Sequence, residues 1–136
     1  MELLVPVSAG ELLDKITILQ IKVQRIDDPA KRANVAVELV ALEAVAARAG
    51  LGAGGGPIAG QERLTAATAE LGAVNGELWH IEDRIRDCER AGDFGPGFVE
   101  LARSVYRTND RRAALKAQIN QLCGSQLVEE KSYAAY

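Results

Sequence analysis

Polar and basic side chains collect in one run, residues 103–112 (RSVYRTNDRR), inside a stretch that otherwise keeps a helical rhythm of apolar residues. Val105 holds the rhythm, Thr108 and Arg112 take the next two core-type positions, and Leu115 restores it. A guanidinium on a packing face needs a partner, because burying an unpaired charge is costly. Two chemistries fit. In the favoured one, Thr108 and Arg112 form a polar layer that sets helix register, with Arg112 paired to Asn75 or to an acid from another helix. In the other, the break opens a mid-bundle pocket for a small anionic ligand, such as a phosphorylated or nucleotide-linked sugar. Arg103, Arg107, Asn109 and Arg112 would then anchor anion or hydroxyl groups, with Tyr106 as a wall and Lys15 assisting.

Arg103, Arg107 and Arg111 are also spaced i,i+4 on one side of the same helix. With Arg112 and Lys116 they outnumber Glu100 and Asp110 there, which suits a phosphate-bearing ligand, an acidic partner or nucleic acid. The plainer reading is a solvated face balanced by Asp83, Asp87 and Glu100. A net charge of −3, with three Tyr and two Phe for stacking, weighs against nucleic acid.

Other reactive residues lack a constellation. His80 is the single histidine and has no carboxylate at a characteristic spacing. Ser104, Ser125 and Ser132 have no triad context. Cys88 and Cys123 are the only cysteines. They form no Cys-x-x-Cys pair, and helical rise puts them roughly 40 Å apart, too far to bridge. No catalytic set, metal site or cofactor follows from these residues.

The elements that must position these residues are helices. Ser8 opens a capping box with Glu11, and Leu12, Ile16, Leu19, Val23 and Ile26 then mark a seam through a first helix at about 9–27. Ile18 and Ile21 widen its apolar face, and Glu11 and Lys15 are spaced as an i,i+4 pair. Asp28 and Pro29 restart the chain into a second helix at 29–49, with a seam of Val35, Leu39, Leu42 and Ala46. So short a connection makes an antiparallel hairpin. Residues 50–60, GLGAGGGPIAG, read as a flexible linker; a phosphate loop would need a Gly-Lys-Ser/Thr ending and a preceding strand.

A third helix at 61–91 carries Leu64, Ala67, Leu71, Val74, Leu78, Ile81, Ile85 and Cys88 at three-four spacing. At about 1.5 Å per residue it is on the order of 45 Å long. Residues 92–97 turn the chain into a fourth helix at 96–122. In that hairpin, positions summing to roughly 187 oppose each other, so Arg112 faces Asn75 and Thr108 faces Leu78 and Trp79. Residues 2–7 read as an extended arm packed on the bundle, and the tail, 124–136, as a docked lid or clasp.

The chain has 136 residues, 48% apolar, 26% charged and 4% aromatic, which predicts one all-α domain. Two antiparallel helical hairpins would close into a four-helix bundle or a coiled-coil-like assembly, and seams on all four helices predict a homodimer. The N-terminus lacks a signal-peptide pattern and no run is long enough to span a membrane, so a cytoplasmic protein with reduced thiols is expected.

Three segments taken together, SAGELLDKITIL (8–19), LARSVYRTNDRRAALK (101–116) and LVEEKSY (127–133), resemble a small bacterial family classed only as a domain of unknown function. The resemblance covers most of the chain outside the Gly-rich linker. It implies an all-helical domain and brings no established activity or catalytic residues. The leading expectation is a non-enzymatic interaction or oligomerisation module with a homodimer or another protein as partner. Small-anion binding is the alternative. An enzyme of chorismate mutase type, with Arg and Lys holding a dicarboxylate, is a third reading for which no ligand positions can be assigned.

Overall fold

A computed structural model of the protein describes residues 1–51 and 60–136. The linker reading of the Gly-rich segment falls on residues 52–59, outside the described residues. The described chain is all-helical: α1 (Ala9–Arg25), α2 (Pro29–Arg48), α3 (Gln61–Ala91) and α4 (Pro96–Leu122). Their packing is consistent with a four-helix bundle. Among the described residues there is no strand, and no helix is long and apolar enough to cross a membrane.

Local chemistry sets the helix ends. Ser8 Oγ accepts the Glu11 amide at 3.2 Å, and Asp28 Oδ1 accepts the amides of Ala30 and Lys31 at 2.9 and 3.2 Å, with Pro29 at the first helical position. α3 stops at Gly92, whose φ of 64° suits the left-handed C-cap that a side chain would resist. Only half of the expected capping box forms. The Glu11 carboxylate leaves its own helix start and reaches α4 instead, at Lys116 Nζ, 2.7 Å away. The expected Glu11–Lys15 pair is also absent, because Lys15 turns to Glu38 on α2.

α1 is the shared member of the bundle. It lies against α2, α3 and α4; α3 and α4 form the long hairpin, and among the described helices the α2 backbone closely approaches only α1, with Ala46 reaching the shared core. The core cluster combines Leu12, Leu13 and Ile16 of α1, Ala46 of α2, Leu64, Ala67, Leu71 and Val74 of α3, and Leu115 and Ile119 of α4. Burying side chains of this size stabilises by about 1.5–3 kcal/mol each. The cluster stops at Val74 and Leu115, so the turn-side part of the long hairpin lies outside it. There Ile81 and Leu101 are buried, while Phe94 and Phe98 meet edge-to-face at 5.2 Å beside the turn.

Close approach of α1 to α4 depends on Gly10. Its amide donates to Asn120 Oδ1 at 2.7 Å, and a Cβ there would lie 2.6 Å from the Lys116 carbonyl oxygen. The arm at residues 2–7 does not pack as expected. Leu3, Leu4 and Val5 are exposed and no strand forms, because the described helices offer them no sheet edge to pair with.

Candidate functional site

The stretch singled out in the sequence is completed by a residue from α1. Asp14 is 2% exposed. Arg112 grips its carboxylate in two-pronged fashion, Nε donating to Oδ1 at 2.9 Å and Nη2 to Oδ2. Asn75 Nδ2 donates to the same Oδ1 at 2.9 Å and to Thr17 Oγ1 at 3.0 Å, while the Thr17 hydroxyl donates to the Asp14 carbonyl at 2.8 Å. Three helices therefore meet on one carboxylate. Burial pushes the Asp14 carboxyl up, but hydrogen bonds from Arg112 and Asn75 and the charges of Arg112 and Lys116 reverse this and hold it below the ordinary carboxylate range. The Asp14 hydrogen bond in turn raises the Arg112 guanidinium above its usual value, so both remain charged.

One turn further along α4, Lys116 makes a second node. Its ammonium lies 2.7 Å from Glu11 of α1 and 2.7 Å from Glu129 of the tail. Burial alone would lower this lysine, and the two carboxylates outweigh it, raising the group above its ordinary value. Glu129 is lowered by the hydrogen bond from Lys116. The tail is held again at its far end, where the Tyr136 ring packs 4.7 Å from Tyr106 and its hydroxyl donates to Asp110 at 2.7 Å. Leu127 and Val128, just before the first anchor, and Tyr133, between the two, stay exposed.

Of the residues picked out in the sequence, Asn75, Asn109 and Arg112 come together. Arg112 Nη1 reaches Asn109 Oδ1 at 3.5 Å. Thr108 is buried on the same helix, in the position its spacing predicted. The others are elsewhere. Lys15 lies on the α2 side, paired with Glu38, and has no part in the cluster. Arg103 and Arg107 share Glu100 at 3.2 and 3.1 Å, on an exposed face of α4. Arg111 is held by Glu77 of α3 at 2.8 Å. Tyr106 faces the tail and not the Arg112 side chain. The i,i+4 spacing of the arginines turns them to a solvated face while Arg112 alone points into the bundle. His80, which has no carboxylate at a characteristic spacing, is an exposed residue satisfied by the Arg25 guanidinium 2.9 Å away.

The residues missed in the sequence are Asp14 and Thr17. The signal was available: Gly10, Asp14, Thr17 and Ile21 recur at four-three-four spacing and form a second α1 seam beside Leu12, Ile16 and Leu19. Gly10 lets α4 approach, Asp14 takes Arg112 and Thr17 takes Asn75. A polar residue within such a seam reads as surface when only apolar positions are followed.

Beside this layer is a cavity of about 580 Å³ between α3 and α4, with Ile18 of α1 at its edge. Asn75, Asn109 and Arg112 line its inner part; Trp79 and Leu78 form a wall, and Glu82, Asp83 and Arg86 stand around it. Among the described residues no group of three or more His, Cys, Asp or Glu is placed to hold a metal ion. Compared with protein-family models, curated proteins and solved structures, the chain gives no match.

Proposed function

We propose that the chain is a non-enzymatic helical interaction module that pairs with a second copy of itself, and that the Asp14–Arg112 layer is its internal register device. The observation that carries this reading is the outer face of α2. Val37, Val40, Ala41, Ala44 and Val45 are all exposed, Val37 at 73% and Val40 at 66%, on a helix whose backbone, among the described helices, closely approaches only α1. Their spacing forms a stripe opposite the inward seam of Val35, Leu39, Leu42 and Ala46. A helix apolar on both sides is suited to burial on both. Ala41 and Ala44 at the middle of the stripe permit close helix approach, and the charged Lys31, Arg32 and Arg48 lie toward the ends, outside a crossing. An interface made through one such helix falls near the lower limit of stable interfaces, about 1,000–1,200 Å² in total, which goes with a reversible homodimer.

The anionic-ligand reading loses its cations to partners already in place: Arg112 to Asp14, Arg103 and Arg107 to Glu100, Arg111 to Glu77. Sedimentation over a range of concentrations tests the proposal. The wild-type chain is expected to move from monomer to dimer as concentration rises, and Val40→Glu to stay monomeric with its helix content unchanged. A wild-type monomer throughout, or dimerisation undisturbed by Val40→Glu, removes the α2 interface.

A further inference from the structure

We propose that the cavity under Trp79 is a binding site for a neutral saccharide. At about 580 Å³ it falls within the roughly 300–1,000 Å³ of ordinary small-molecule sites. Its charges argue first against an ionic ligand. Asp14 already neutralises Arg112 from behind, and Arg86 is paired with Glu82 at 2.9 Å. Asp83, which makes no ion pair among the described residues, leaves the rim with one excess negative charge. A phosphate or carboxylate would be repelled by Asp83, while one exposed carboxylate attracts a cation only weakly. A neutral ligand therefore forfeits little by carrying no charge.

The hydrogen-bonding groups left over specify the rest. Asn75 is 5% exposed, and its amide nitrogen donates to Asp14 and Thr17, which fixes the orientation of the amide. Asn75 lines the cavity, and its Oδ1 receives no hydrogen bond among the described residues, which leaves an acceptor for an O–H. Arg112 has its Nε and Nη2 on Asp14, which holds the guanidinium plane still and leaves Nη1 with only the 3.5 Å contact to Asn109. That edge is a positioned donor. Asp83 is a further acceptor. A ligand that satisfies all three must donate and accept through neighbouring groups, which vicinal hydroxyls do and a simple apolar molecule does not. Trp79 and Leu78 supply an apolar wall for the C–H face of a pyranose ring. The site draws on α1, α3 and α4 and none of the α2 stripe, so it stands or falls independently of self-association.

Trp79 is the only tryptophan, so its emission reports the site directly. The full chain is titrated with D-glucose, D-galactose, N-acetyl-D-glucosamine, maltose and cellobiose, and with glucose 6-phosphate and glucosamine as charged counterparts. With so few non-hydrogen atoms to make contacts, a monosaccharide is expected to bind with Kd in the low millimolar range. A saturable emission change with at least one neutral sugar is expected, with about tenfold weaker binding of glucose 6-phosphate and with glucosamine within a few-fold of N-acetyl-D-glucosamine. Asp83→Ala, at an exposed position, is expected to weaken binding about tenfold, as loss of one hydrogen bond to a charged group does. Trp79→Phe, read by calorimetry, is expected to weaken it as well, and Arg63→Ala, about three turns before Asn75 on α3 and outside the cavity lining, to leave it unchanged. The proposal is overturned if no neutral sugar gives saturable binding, if glucose 6-phosphate binds as tightly as glucose, or if Asp83→Ala and Trp79→Phe both bind as wild type does.

Discussion

At the scale of single residues, Asp14 is a polar side chain that ties three helices together. Its carboxylate is buried and joined to α3 and α4 at once, so removing it and removing its partner are different experiments from replacing the pair. Asp14→Ala leaves Arg112, 29% exposed, and the Asn75 amide without their acceptor. A loss of about 3 kcal/mol is expected in urea unfolding, the low end for a broken buried pair because one guanidinium edge is open to water. Asp14→Leu combined with Arg112→Met is expected to fall within about 1 kcal/mol of wild type, since a well-packed apolar pair replaces an ionic one at little cost. A double variant as unstable as Asp14→Ala would mean that the layer holds the fold itself and not only its register. Glycines give a second contrast. Gly10→Ala forces α1 away from the Lys116 carbonyl and is expected to cost about 1–3 kcal/mol. Gly76→Ala, with nothing within 4 Å of the new methyl, is expected to gain about 0.5–1 kcal/mol from helix propensity. Thermal melts of the two variants should move in opposite directions.

At the scale of elements, the helices were legible from their ends and seams, and the contacts between them much less so. Ser8, Asp28–Pro29, Gly92 and Pro96 mark where helices start or stop, because caps act within one turn and leave a local trace. The hairpin register that put Arg112 opposite Asn75 is likewise a local consequence of a short turn, and both side chains do meet on Asp14. What chain order does not encode is which face of α1 turns toward α4. Asp14 and Arg112 are far apart in sequence, and Lys15 is adjacent to Asp14 yet points to α2. Lys15, expected to assist Arg112, therefore belongs to the α1–α2 side, and the acid next to it is what Arg112 takes. The tail shows the same limit: its charges were visible, but its partner Lys116 lies on α4 beside the arginine stripe and not in it.

Acidity offers a test of how these elements are joined. Asp14 and Glu129 both titrate below their ordinary values, so each contributes stability that is fully present above the unfolded carboxyl pKa, about 4, and is lost as pH falls through the lower folded value. Lys116, raised, contributes below about pH 10.4 and loses its contribution as pH climbs through its folded value. Urea midpoints are expected to be flat near neutrality and to drop on both sides. Glu129→Gln should flatten the acid limb and reduce the alkaline one, because it removes one of the two carboxylates on Lys116; unchanged limbs would dissociate the tail from the bundle.

At the scale of the whole molecule, the all-α class followed from composition and periodicity, because low aromatic content and three-four spacing exclude most sheet arrangements before any contact is known. The distribution of the core within that class did not follow, since α3 keeps its apolar spacing all along its length while the buried cluster occupies only part of it. That uneven core has a consequence in time. Backbone amides exchange with solvent hydrogen through local openings, and the free energy of an opening scales with the packing it disrupts. Amides of α3 near Leu64–Val74 and of α4 near Leu115–Ile119 should exchange only on global unfolding. Those between Ile85 and Leu101 should exchange earlier, through fraying that begins at the Gly92 turn. Hydrogen–deuterium exchange read by peptide would show protection rising from the turn toward the Asp14 layer, so that the molecule breathes from one end and Asp14 marks where the breathing stops.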